Sequence, residues 1–145
     1  MLEFEKKNEE LKQEQQALKA SFETLSSQID AARTAFFQLE RECFRRETSF
    51  CLAEHSTCKL KISQIQQQGD REKTLSLENC ASLIPPHMVP RDVHNWNVQS
   101  KEEFEVFRNY FYCFRPYMLR YMDCMQQEKA VFERTNQRMS DLMHS

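Results

Sequence analysis

Residues 22–40, with the sequence FETLSSQIDAARTAFFQLE, carry apolar side chains at alternating spacings of three and four. This spacing places the apolar side chains on one face of an α-helix, in the pattern of a coiled-coil heptad. Two rows result: Phe22, Ile29 and Phe36 form one, and Leu25, Ala32 and Leu39 form the other. The stretch therefore predicts a helix with a continuous apolar seam.

The same heptad extends outward to Met1 in one direction and to about residue 64 in the other. About nine consecutive heptads exceed the three or four that a coiled coil requires. Arg46 is the one charged residue in the row of Leu25, so its guanidinium must reach solvent or a carboxylate. The only glycine in the chain, Gly69, follows the last periodic positions. We expect Gly69 to end this helix in a left-handed conformation, the alternative being a helix that continues through it.

The apolar face widens at about residue 36, because one flanking row changes from polar to apolar residues there. A narrow seam needs one partner helix, whereas a wider face needs a second. We therefore predict a dimeric coiled coil over residues 1–35 and a bundle over residues 36–69.

Residues 70–100 break the heptad, and the sequence LIPPHMVPRDVHNW places three prolines within six residues. No helix tolerates such a run, so the chain is expected to reverse here. We expect a short helix over residues 72–83 and an anchoring role for Trp96. A polyproline ligand at residues 85–90 is the alternative interpretation of the prolines.

A second long helix is predicted over residues 101–143. Ser100 and Glu103 form a capping box at its start, and apolar residues again recur at spacings of three and four. Pro116 is expected to kink this helix on the face opposite the seam, the alternative being two helices that meet at Arg115. If residue 101 lies beside residue 68, the returning helix, at about 1.5 Å per residue, reaches about residue 26.

The first 25 residues are then left without a partner in their own chain, which predicts a parallel homodimer. Asn8 lies at a seam position where a polar residue commonly fixes register. The predicted fold is all-α: a long coiled-coil helix and a returning kinked helix form an antiparallel hairpin or bundle that dimerises as a coiled coil. The predicted dimer interface comprises Phe4, Asn8, Leu11, Leu18, Phe22, Leu25 and Ile29.

The second helix also carries large apolar residues beside its seam, which a simple hairpin does not cover. Such residues commonly mark a protein contact, although the other half of a dimeric four-helix bundle would also cover them. The predicted partner-binding residues are Tyr110, Tyr112, Tyr117, Leu119 and Met122.

No catalytic or cofactor-binding motif occurs in the sequence, and one glycine leaves no phosphate-cradling loop. The six cysteines are expected to be reduced and free of metal, because most of them fall on apolar helical positions. A minor alternative is a metal site formed by Cys51, His55 and Cys58, with Cys113 as a fourth ligand.

These features predict a non-enzymatic coiled-coil scaffold or assembly subunit that binds itself and other protein subunits. The expected location is cytoplasmic, with a cytoskeletal assembly such as a cilium, centriole or kinetochore as the candidate setting. The formal net charge of −2 and the mixed charges do not indicate a nucleic-acid partner or an anionic membrane. No small-molecule substrate is expected either. Alternatives are a membrane-tethering or membrane-remodelling helical bundle and a metal-binding helical protein.

Overall fold

The computed structural model describes residues 2–88 and 100–144 and contains three long helices, which confirms the all-α prediction. The helices are α1 (Leu2–Arg46), α2 (Ser49–Cys80) and α3 (Lys101–His144). Two single-turn 3-10 helices, Ala81–Leu83 and Pro86–Met88, follow α2. Trp96, the expected anchor of the connector, lies outside the described residues.

The chain first reverses at Glu47 and Thr48, where the sequence predicted an unbroken helix. Glu47 has a φ of 52° and its N–H donates to the Cys43 carbonyl at 3.0 Å. Thr48 then precedes α2 with an extended backbone. The Arg46 guanidinium is paired at this turn. Its Nε donates to Glu42 at 2.7 Å, and its Nη1 donates to the Met143 carbonyl at 2.7 Å. The prediction of a single helix over residues 1–69 is therefore wrong.

Gly69 lies in the interior of α2 rather than at its end, and its φ is not positive. A Cβ atom on Gly69 would lie 3.2 Å from Cε2 of Tyr121 and 3.7 Å from Cβ of Cys124. The glycine thus lets α3 approach the backbone of α2 closely. The prediction that Gly69 ends a helix is wrong, because close packing explains this glycine.

Helix α3 runs parallel to α1 and antiparallel to α2. The pairs that join α1 to α3 ascend along both helices: Phe4 with Phe104, Glu14 with Tyr112, and Arg46 with Met143. The pairs that join α2 to α3 descend along α2: Glu54 with Arg138, Glu72 with Arg120, and Cys80 with Cys113. The start of α3 therefore lies beside the start of α1, and the predicted register of residue 101 beside residue 68 is wrong.

The start of α3 matches the sequence prediction. Oγ of Ser100 accepts a hydrogen bond from the Glu103 N–H at 3.1 Å, as an N-cap residue does. The helix continues through Pro116 to His144, so the alternative of two helices meeting at Arg115 is wrong.

Three apolar clusters follow one another along the bundle. The first lies near the turn and includes Phe36, Cys51, Phe132 and Met139. The second contains Leu25, Ile29 and Met125, and the third surrounds Leu11, Phe104 and Phe111. Residues of α1 contribute to all three clusters, so the premise that residues 1–25 have no partner in their own chain is wrong.

Four of the six cysteines form disulfides, which contradicts the expectation that all are reduced. Cys43 is bonded to Cys51, and Cys80 is bonded to Cys113, each pair with a Cα–Cα distance of 5.8 Å. The turn at residues 47–48 brings the first pair together, and the antiparallel register of α2 and α3 brings the second. Cys58 and Cys124 are free and buried. No helix among the described residues is long and apolar enough to cross a membrane.

Candidate interaction groove

An open groove runs between α1 and α2, with α3 as its floor. Contacts between α1 and α2 are concentrated near the turn: Phe36 and Phe44 contact His55, and Nε2 of His55 lies 2.5 Å from Glu40. Further from the turn, α3 packs against both helices. The interhelical groove comprises three cavities, two of which share lining residues.

The largest of the three cavities has a volume of about 330 Å³ and an aromatic floor. Its lining comes from all three helices: Phe22, Glu72, Lys73, Ser76, Leu77, Tyr110, Phe114, Tyr117, Met118 and Tyr121. A second cavity of about 200 Å³ adjoins it and shares Phe22, Phe114 and Met118. Phe22 stacks on Tyr121 with ring centroids 6.4 Å apart, so the two cavities meet at an aromatic pair.

The third cavity lies nearer the turn and has a volume of about 290 Å³. It is lined by Arg33, Phe36, Phe37, Lys59, Ile62, Ser63, Gln66 and Phe132. Phe132 forms its floor on α3, while Phe37 is half exposed at its rim. Aromatic side chains therefore occur at both ends of the groove.

Leu77 is the most exposed apolar residue of the groove, with 68% of its surface accessible to solvent. It projects from α2 beside the half-buried rings of Tyr110 and Tyr117. An exposed leucine next to aromatic rings forms a contiguous apolar surface, which is the kind of surface that marks a protein contact.

Charged side chains lie along the rim of the groove. Lys73 places Nζ 4.5 Å from the centroid of the Tyr121 ring, which is a cation–π distance. Glu72 is largely buried, and its carboxylate accepts a hydrogen bond from Nε of Arg120 at 2.9 Å. The charge of Glu72 is therefore compensated within the protein. Burial raises the pKa of Tyr110, which disfavours the charged phenolate.

A polar layer centred on the buried carboxylate of Glu128 lies along α3 between the first two cavities and the third. Glu128 accepts hydrogen bonds from Nη2 of Arg33 at 2.9 Å and from Nε2 of Gln66 at 3.2 Å. Each of the three helices supplies one of these side chains, so the layer fixes their relative position.

The predicted partner-binding residues divide between different faces of α3. Tyr110 and Tyr117 line the groove. Tyr112 and Leu119 lie elsewhere on α3 and are 48% and 45% exposed, and Tyr112 donates to Glu14 at 3.0 Å, a hydrogen bond that raises the tyrosine pKa. Met122 packs against the buried cluster of Leu25, Ile29 and Met125. The groove thus brings together two of these five residues.

The predicted dimer-interface residues contribute to the interior of the single chain. Leu11, Leu25 and Ile29 are buried, and the Phe4 ring meets the edge of Phe104 at 5.4 Å between centroids. Leu18 and Phe22 are half-buried and line the groove. Asn8 is half-buried, and its Oδ1 has no hydrogen-bond partner among the described residues.

Lys73 and Leu77 are groove residues that the sequence analysis missed. Both fall in residues 70–100, which the loss of the heptad assigned to a connector. Their spacing of four places them on one face of a helix. This spacing would have indicated a surface of α2 only if the reversal at residues 47–48 had been known.

The proposed metal ligands are not brought together. Cys51 and Cys113 lie in different disulfides, and His55 is bonded to Glu40. Burial raises the pKa of the Cys58 thiol, which disfavours the thiolate that binds metals. Within residues 2–88 and 100–144, no group of three histidine, cysteine or acidic residues could hold a metal ion.

Comparison with protein-family models, with curated proteins and with solved structures finds no match to this chain. The fold itself is an all-α bundle of three long helices, and the interhelical groove is its candidate functional surface.

Proposed function

We propose that this protein is a non-enzymatic interaction module that binds another protein through the interhelical groove, as a scaffold or subunit of a larger assembly. The observation that carries the proposal is the exposed Leu77 beside the aromatic floor of Tyr110, Phe114 and Tyr117. Covering a leucine or phenylalanine side chain fully contributes about 1.5–3 kcal/mol. A partner that covers this surface therefore gains a substantial binding free energy.

A protein-sized occupant fits this surface better than a small molecule does. The groove is open along its length, and its apolar residues extend from Leu77 to Phe37, near opposite ends of the α1–α2 pair. Small-molecule sites usually bury most of the ligand surface, whereas an open groove suits an elongated segment of another protein.

Homodimerisation and a cytoskeletal setting are further parts of this proposal. The apolar seam of residues 1–35, which the sequence assigned to the dimer, packs against α3 within the chain. The length of the helices is what supports a scaffolding role, because α1 alone contains 45 residues, about 68 Å of helix.

Site-specific photo-crosslinking in cells tests the proposal. A benzophenone amino acid replaces Leu77 in the groove, and the matched control carries it at Leu60, which is 62% exposed on α2 outside the groove. We expect a discrete protein adduct from position 77 and none from position 60. Equal labelling from both positions, or no adduct from either, would contradict a binding role for the groove.

A further inference from the structure

We propose that the groove takes an acidic amphipathic helix, about 20 residues long, from a partner protein. This inference rests on the proposed function, and it adds the structure and the charge of the segment that binds.

The dimensions of the groove match a helix. Its floor on α3 extends from Tyr110 to Phe132, which corresponds to about 33 Å at 1.5 Å per residue. A helix of about 22 residues has this length. Three helices already surround the core, and a fourth helix between α1 and α2 would produce the arrangement of a four-helix bundle.

The apolar residues of the groove suit one face of such a helix. Phe114, Met118 and Tyr121 on the floor, with Phe22 and Leu77 on the walls, offer aromatic and aliphatic surface on three sides. An amphipathic helix inserts residues spaced by three and four into a groove of this kind.

The charges of the groove favour an acidic partner. The residues that line the three cavities include four cations and two carboxylates: Lys19, Arg33, Lys59 and Lys73, with Glu23 and Glu72. Two of these six charges are compensated within the chain, because Glu72 pairs with Arg120 and Arg33 pairs with Glu128.

The remaining rim charges are three lysines and Glu23. Lys19, Lys59 and Lys73 form no ion pair with any residue in the described part of the chain, and all three are exposed. The groove is thus locally cationic in a chain whose formal net charge is −2. Carboxylates flanking the apolar face of a bound helix would face these lysines, whereas a basic helix would be repelled.

Two designed peptides test this inference with the full chain. Each is a fluorescein-labelled 22-residue amphipathic helix with the same leucine face, and the residues that flank this face are glutamate in one peptide and lysine in the other. We expect fluorescence anisotropy in about 50 mM salt to show at least tenfold tighter binding of the glutamate peptide, a preference that shrinks in about 300 mM salt because surface charges are screened.

Protein variants supply the matched controls. The triple change Lys19→Glu, Lys59→Glu and Lys73→Glu alters exposed residues and should invert the preference between the peptides. Leu77→Glu should weaken both peptides by at least tenfold, whereas Leu60→Glu should weaken neither. Circular dichroism establishes that each variant retains the helicity of the parent chain.

The outcomes separate this inference from the proposed function. Equal binding of the two peptides, lost in Leu77→Glu, would refute the acidic assignment while supporting the groove as a docking surface. Binding of neither peptide at about 100 µM would overturn the inference, and crosslinking from position 77 would still decide the proposed function. A dimer in light scattering that Leu77→Glu converts to a monomer would assign the groove to a second copy and would also overturn it.

Discussion

Glu128 is a buried carboxylate in the apolar seam of α3, and its two partners come from the other two helices. Arg33 donates from α1 at 2.9 Å and Gln66 donates from α2 at 3.2 Å. A buried charge is costly unless it is paired, so these hydrogen bonds are specific to one alignment of the helices. The spacing of Met125, Glu128 and Phe132 places the glutamate on the apolar seam. The sequence gives no means of finding its two partners, because both depend on the reversal at residues 47–48.

We expect Glu128→Ala to lower the free energy of unfolding by about 2–3 kcal/mol, because Arg33 and Gln66 lose a largely buried acceptor. The expected loss of unfolding free energy is smaller than for a fully buried ion pair, because the Arg33 side chain is 37% exposed. Urea denaturation followed by circular dichroism measures the change.

The control is Glu133→Ala, which removes an exposed carboxylate 3.8 Å from Lys129 on the same helix. A surface pair of this kind contributes less than about 0.5 kcal/mol. Equal stabilities for the two variants would show that the contacts of Glu128 do not hold the helices in this arrangement.

At the scale of elements, the turn between α1 and α2 shows where the sequence pattern was not sufficient. The heptad passes through residues 47–48 without a glycine or a proline, so local signals favour a continuous helix. Thr48 makes no side-chain capping hydrogen bond that would mark the start of α2. The turn is held instead by contacts between distant residues, such as Arg46 with the Met143 carbonyl and Glu40 with His55. By contrast, the start of α3 is determined locally by Ser100 and was predicted correctly.

The disulfides give a direct test of how α2 is joined to its neighbours. We expect alkylation of the unfolded, non-reduced protein to modify two cysteines, Cys58 and Cys124, because the other four are bonded. Peptide mapping by mass spectrometry identifies the bonded pairs. Alkylation of all six cysteines, or a pair such as Cys51 with Cys113, would contradict this arrangement of the helices.

The Cys80–Cys113 bond should also contribute measurably to stability. It joins residues separated by 33 positions, and the chain-entropy relationship for a loop of this size gives about 3–4 kcal/mol. We expect the double change Cys80→Ala with Cys113→Ala to lose a similar amount in urea denaturation without reductant. With reductant present, the difference from the parent chain should largely disappear, and its persistence would show that the loss comes from packing.

At the scale of the whole molecule, the order and direction of the helices determine which surfaces remain open. The sequence predicted the helical character of the chain, the apolar faces of its helices and the residue range of α3, because these features depend on periodicity and capping. It did not predict that α3 lies parallel to α1, because that choice depends on the turn at residues 47–48. The parallel arrangement of α1 and α3 changes which apolar surface is available for function. The apolar seam of residues 1–35 is used within the chain, and the groove beside Leu77 becomes the candidate contact surface.

The parallel arrangement of α1 and α3 is the central claim, and one distance tests it directly. Spin labels introduced through noncanonical amino acids at the exposed positions Glu5 and Glu105 report the separation between the starts of the two helices. Excess unlabelled protein removes any signal between chains. The contact of Phe4 with Phe104, at 5.4 Å between ring centroids, predicts a label separation below about 25 Å. A long unbroken helix with residue 101 beside residue 68 would instead separate the labels by roughly 90 Å, and a distance in that range would contradict the fold described above.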